Sequence, residues 1–465
     1  MNKNFALIFS ILLFFLLNGC SFDNKTGIWS GDKKEKEKIS KIETEQKRLE
    51  NTVKIYTSDN FFKEEILPTK NIKLNKPYKN LFWKTSDLNL QNFTGNLYLS
   101  GIEKKFLKKR VGRKLFLWSK VITSPITTEN SMILSDDRGY VYKINKKGKK
   151  IWKSSIYKKV YKHIYKNLSF SFYKNKIYIV DNLGFIYAIS YETGRLIWIK
   201  NHGIPFKSQI KVSDNKIFVV NQDNRVLCFD TENGSKIWDI RLISSFIKSQ
   251  NLQSLAVSKN KELIVLNSYG DLLKINLNNG RIYWSRNVLA SISTHDNDFF
   301  TSSAVVIKDD DVIFSTSSST FSFSLSNGLL KWQNNIRSVS TPILDGNNVF
   351  IVSNNGFIVN IDRKSGEIIS SKNILKTSEN ISIKNIIKIM KYGKKKVLDT
   401  QIIGAVMGSG KIYSVTSNGY LIVYSAINGK VEYIKRIAEE ITSAPIISNG
   451  SLYILTAKSR ILGFR

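Results

Sequence analysis

The residues of this chain best suited to chemistry are two cysteines, three histidines and one run of three aspartates, and their spacing limits what each can do. His163, His202 and His295 stand far apart, none with a second His or Cys at ligand spacing, so no transition-metal site is expected. Asp309-Asp310-Asp311 has the charge to hold calcium, but it falls between Lys308 and Val312 where two apolar runs meet, which is the composition of a polar hairpin turn. Gly408-Ser409-Gly410 also reads as a hairpin, without the strand-to-helix setting of a phosphate loop or a nucleophile elbow. Cys228, within Val226-Leu227-Cys228-Phe229, reads as a thiol in a strand core. No catalytic constellation emerges, and neither an enzyme activity nor a cofactor or metal is expected.

Cys20 is different. The chain opens with Met1-Asn2-Lys3-Asn4, continues with an apolar run from Phe5 to Leu17 broken only by Ser10, and reaches Asn18-Gly19-Cys20. That is the layout of a secretory signal, with an apolar core too short to span a bilayer. Leu17-Asn18-Gly19-Cys20 resembles a bacterial lipobox, which implies cleavage before Cys20 and acylation of its sulfur. Ser21 in place of an aspartate favours delivery to the outer membrane. Residues 1–19 are therefore expected to be a lipoprotein signal peptide, and 20–75 a charged flexible tether, alternating in sign from Lys33 to Lys38.

The formal net charge of the 465 residues is +34, which raises the question of a nucleic-acid partner. The lysines are scattered, however, and dense only near 104–110, 146–150 and 394–396, each at an expected loop or strand edge. In an exported chain this favours attraction to anionic lipid or an acidic protein face, and no nucleic acid is expected.

From about Ser124 a repeat fixes the fold. Lys176 to Ser190 holds two alternating strands joined by an Asn/Gly turn, and Glu192-Thr193-Gly194 then turns into a strand carrying Trp198. Second-turn glycines recur at Gly148, Gly194, Gly234, Gly280, Gly328, Gly366 and Gly429, followed four residues on by Trp152, Trp198, Trp238, Trp284, Trp332, Ser370 and Tyr433. Glycine supplies positive φ in the turn, and a ring at that fixed place on an outer strand fills the wedge between units. First turns centre on Gly139, Gly184, Asn224, Gly270, Ser319, Gly356, Gly419 and Ser459. Eight units of four antiparallel strands predict an all-β, eight-bladed propeller over 76–465, with an insertion at about 373–400. The eighth unit stops after its third strand, so an N-terminal strand, Phe106 to Val111 in preference to Leu115 to Val121, is expected to complete it. Pro125, Pro342 and Pro445 are expected to open innermost strands.

The Gly-x-x-x-Trp repeats resemble those of quinoprotein dehydrogenases, which carry a quinone and calcium above such a ring beside a vicinal cysteine pair. This chain has no such pair. Lipobox, tether and eight-unit ring together resemble the BamB family of outer-membrane β-barrel assembly lipoproteins. That resemblance implies a non-catalytic scaffold in a multi-subunit complex, lipid-anchored at Cys20, facing the periplasm, binding the periplasmic domains of BamA and assisting outer-membrane protein clients. It also implies a contact loop with Phe246, Ile247 and Lys248, and a second with Asp296 and Asp298 before the next repeat. A periplasmic quinoprotein-like enzyme or ligand-binding propeller, and a surface-exposed adhesion or sensory propeller, are the alternatives.

Overall fold

Alternating side chains within each repeat become four-stranded antiparallel sheets, and eight such sheets form the expected propeller. The computed structural model describes residues 62–85, 87–112, 123–161, 163–242, 251–288, 300–353, 355–375 and 400–465. Blades one to seven span 126–154, 168–201, 211–241, 254–287, 306–334, 343–373 and 402–436. Blade eight joins three strands of 446–464 to Lys105–Arg110, which pairs antiparallel with Arg460–Phe464. The expected closing strand is thus present, one residue earlier than the sequence placed it. Among the described residues the only helical element is a 3-10 turn at Lys159–Tyr161.

Burial follows position in the blade. Neighbouring sheets cover both faces of the second and third strands, so Lys216–Val220 is buried after its first residue, whereas the outer strand Lys236–Arg241 is exposed at its ends and half-buried between. Cys228 lies on the third strand of blade three and is fully buried, which pushes its thiol up to about 12. Pro125, Pro342 and Pro445 each stand just before an innermost strand, where no ladder partner needs their missing amide.

The glycine and tryptophan positions form one joint repeated around the ring. Each tryptophan lies on the second-turn glycine of the next blade and donates its indole N–H to a carbonyl beside that turn. Trp152 donates to Tyr191 O (3.0 Å), Trp198 to Thr231 O (3.0 Å) and Trp332 to Arg363 O (2.8 Å). A Cβ on Gly234, whose φ is +70°, would fall 2.5 Å from Trp198 Cζ3, so only glycine leaves room for the ring. Two joints differ. Leu107 of the closing strand takes the tryptophan's place against Gly148. At blade six Ser370 is buried, and Ile72 and Leu74 from the N-terminal segment join the cluster between blades six and seven.

That segment corrects one expectation. The tether was placed as far as residue 75, yet 62–75 is bound along blade six. Ile66 pairs with Ser371, Lys70 with Glu367 (2.6 Å) and Lys372 with Glu65 (2.8 Å). Its charged residues suggested a solvated chain, but their partners are carboxylates and lysines on the outer strand and turn of the blade.

The joint can be tested by a double-mutant cycle followed by urea denaturation. Trp198→Ala should cost about 3 kcal/mol. Gly234→Ala should cost more than the ~1 kcal/mol of positive φ alone, because of the clash, and fall to about that value in the Trp198→Ala background.

Candidate functional site

The chain's own N-terminal segment fills one side of the central channel. After blade six it runs inward, and residues 75–100 hydrogen-bond to the innermost region of every blade. Trp83 N donates to Thr127 O of blade one (2.9 Å), and Phe172 N of blade two to Lys84 O (3.0 Å). Val257 N of blade four donates to Leu90 O (2.8 Å), and Ile307 N of blade five to Gln91 O (3.0 Å). Asn75 N donates to Asp345 Oδ2 of blade six (2.7 Å), Leu97 N to Met407 O of blade seven (3.3 Å), and Ser100 N to Gly450 O of blade eight (3.1 Å). Asn92, wholly buried, bridges blades four and five by donating to Leu255 O (2.9 Å) and Val305 O (2.7 Å).

Blade three contributes Lys211, whose side chain is fully buried against this filling. Its ammonium donates to Asn89 O (3.0 Å), Asn92 Oδ1 and Thr85 Oγ1 (3.4 Å). Burial lowers its pKa to about 8, against the opposing pull of Asp87. The lysine is a polar latch, not a nucleophile, since the segment covers it.

The remaining chemical candidates resolve as structure. Asp309 pairs with Arg363 (3.0 Å), and Asp310 and Asp311 with Lys331 (3.0 and 2.6 Å), so the aspartate run is a hairpin turn held by ion pairs. Ser409 ties its turn to Leu99, donating its hydroxyl to Leu99 O at 2.9 Å. His202 packs on Phe229 with ring centroids 4.7 Å apart, and burial, then Lys236 and Lys200, lower its pKa. His163 is exposed, and His295 lies outside the described residues.

In antiparallel blades the turns between strands one and two and between strands three and four, the latter carrying the second-turn glycines, lie on one face, and the turn between strands two and three lies with the blade-to-blade connections on the other. The filling meets the innermost strands at their ends towards the first face, as at Gly408 and Gly450. The connections carrying the expected contacts belong to the opposite face. Cys20, Phe246, Ile247, Lys248, Asp296, Asp298 and insertion residues 376–399 all lie outside the described residues. The stems of the two contact loops are described and tied together. Asn251, after the first loop, donates from Nδ2 to Phe300 O (3.1 Å) and Thr301 Oγ1 (3.2 Å), after the second. Beside it Leu252 is 54% exposed, an apolar group on this face that sequence reasoning missed.

Near the same mouth is a cavity of about 120 Å³ lined by Thr123, Asn167, Ser169, Asp181, Phe206 and Ser208 among others. Ligand pockets begin near 300 Å³. Asp181 Oδ1 accepts from Leu183 N and Phe185 N, and Oδ2 from Tyr157 OH, so its carboxylate is engaged. Burial nonetheless raises its pKa. Among the described residues no group of three or more His, Cys, Asp or Glu converges as a metal site. These residues do not fit a quinone with its calcium ion.

Ring, repeat and joint define the class as a propeller of the pyrroloquinoline-quinone repeat type. A family model described as outer membrane protein assembly factor BamB matches residues 137–372, and the chain belongs to that family. It is 21% identical over 357 residues to an uncharacterized protein of Rickettsia prowazekii, covering 74% of this chain and 83% of the relative. With outer membrane protein assembly factor BamB of Moranella endobia it shares 18% identity over 309 residues, 64% of each chain. The crystal structure of BamB from Moraxella catarrhalis superposes with a TM-score of 0.62 at 12% identity, covering 78% of this chain and 99% of that one. Quinohemoprotein alcohol dehydrogenase from Comamonas testosteroni gives 0.59 at 10% identity, covering 82% and 80%. At these identities the structures establish the shared fold.

Lys211 yields a pH prediction. Its folded pKa of about 8 lies below the ordinary 10.5, so between those values the unfolded chain holds more protons and stability rises with pH. The destabilisation is full below pH 8 and is relieved by about pH 10.5, amounting to roughly 3 kcal/mol. Lys211→Met should remove that rise, measured as the difference between wild-type and variant urea stabilities across the window.

Proposed function

We propose that this protein is a non-catalytic scaffold lipoprotein of the outer-membrane β-barrel assembly machinery, binding BamA and assisting assembly and insertion of outer-membrane proteins. Membership of the BamB family is the observation that carries this reading. The shared stem at Asn251 supports it, since one hydrogen-bonded joint holds the roots of both expected contact loops on one face. In this reading Phe246 and Ile247 act as the desolvated anchor, while Lys248, Asp296 and Asp298 set register at the rim.

The proposal extends to location and architecture. Acylated Cys20 holds the protein at the outer membrane, a tether now ending before residue 62 gives it reach, and the propeller faces the periplasm. No helix among the described residues is long and apolar enough to cross a membrane. The filled channel gives a physical reason to prefer a scaffold to a quinone-dependent enzyme, because its polar interior is already bonded to the chain's own backbone.

The test is co-purification from membranes after crosslinking. Phe246→Glu combined with Asp296→Lys should melt like the wild type yet recover at least about tenfold less BamA, as expected when a central anchor is lost. Undiminished recovery from the folded variant would remove these loops from the interface. Quinone-dependent dye reduction by the purified protein would favour the enzyme instead.

A further inference from the structure

Charge is neutralised unevenly around the ring. Between blades two and six, cations are tied to carboxylates of the adjoining blade, as in Lys176 with Glu232 (2.6 Å), Lys261 with Asp214 (3.1 Å) and Arg363 with Asp309 (3.0 Å). At the closing seam the pattern stops. The segment 104–110 reads KKFLKKR and 146–153 reads KKGKKIWK, together ten cations, and none of them makes an ion pair among the described residues.

The two segments touch. A Cβ on Gly148 would lie 2.9 Å from Leu107 Cδ1 and 3.2 Å from Lys109 Cβ, so the turn of blade one rests on the outer strand of blade eight. Along this contact is a cleft of about 420 Å³ whose lining includes Arg110, Arg138, Lys150 and Lys153 beside Tyr140 and Tyr142. Lys153 Nζ stands 3.6 Å from the centre of the Tyr140 ring, and Arg138 Nε is buried with no hydrogen-bond partner among the described residues. The one carboxylate of the lining, Asp136, accepts from the backbone of Arg138 and Tyr140 and from Tyr142 OH, and so is bound within the blade. Between Lys150 and Lys153, Ile151 is 53% exposed.

We propose that this seam is a docking surface for an anionic lipid bilayer, with lipid phosphates entering the cleft. A concentration of unpaired cations at a membrane surface gains several-fold in binding per residue, and the effect decays within a Debye length. Lysines flanking an open isoleucine, with tyrosines alongside, suit the headgroup boundary, where an apolar side chain inserts while the cations stay with phosphate. An acidic polymer in solution would use the charge but leave Ile151 in water. The inference goes beyond the scaffold reading and does not depend on it.

The test is sedimentation of the full chain carrying Cys20→Ser with vesicles of phosphatidylcholine, with and without phosphatidylglycerol. The ratio of the two bindings cancels any insertion of the apolar N-terminal run. Lys109→Glu, Lys150→Glu and Lys153→Glu together should lower that ratio at least about tenfold, three basic contacts each contributing several-fold. Lys200→Glu, Lys259→Glu and Lys364→Glu make the same change in net charge on blades two, four and six and should lower it by less than about twofold. Should the seam triple fail to melt like the wild type, the neutral triple Lys109→Gln, Lys150→Gln and Lys153→Gln serves in its place and should show a smaller loss in the same direction. Equal losses from the seam and control triples, or no preference of the parent chain for phosphatidylglycerol, would overturn the proposal. So would a seam triple that keeps its vesicle ratio but loses retention on immobilised polyglutamate, which would assign the surface to an acidic protein.

Discussion

A ring of stacked sheets is stable only if every blade has a neighbour on each side and every blade is complete, and here the eighth blade depends on the N-terminal chain for its outer strand. Leu107 lies opposite Gly463 and Lys109 opposite Ile461, so the ladder joins residues at opposite ends of the sequence. Buried Leu107 also fills, against Gly148, the place that tryptophan holds at most other joints. The same short strand therefore completes one sheet and seals the wedge to the next. Closure is made before the strand as well, because residues 75–100 bond to all eight blades from inside the channel.

This arrangement divides the molecule by face. On one face, backbone groups of the innermost strands that would otherwise meet water are bonded to the chain itself, as at Val257 N and Ile307 N, which leaves little for a ligand to recognise. On the other, the blade connections are long, and the roots of two of them are joined at Asn251. The shared fold with quinohemoprotein dehydrogenases carries no activity by itself.

The ring was legible because its determinants are local and recur. Glycine at positive φ with a ring four residues on, and proline before an innermost strand, each report a backbone requirement that few other residues meet. The aspartate run was legible for the same reason, as turn chemistry. The channel filling was not, since Thr85, Asn89 and Asn92 have the composition of a loop and their partners lie more than a hundred residues away. Alternation in Leu97-Tyr98-Leu99 was the available signal, but it occurs outside any repeat. Lys211 gave no sign either: a lysine on the channel side of an inner strand is normally solvated, and only the filling buries it. The binding of 62–75 was hidden because its charged residues read as a tether until their ion-pair partners on blade six are known. Of the candidate site, the two loops are an expectation drawn from the family resemblance, and the structure adds the shared stem and Leu252.

The central claim is that the chain's own N-terminal segment lies within the ring and holds it closed, and amide hydrogen exchange on the intact protein tests it most directly. Protection at the amides of Trp83, Leu97, Val257 and Ile307, which all donate across the boundary between segment and blades, should match that of the buried strand Lys216–Val220. Rapid exchange at these four amides, with the blade strands still protected, would mean an open channel and would contradict the account.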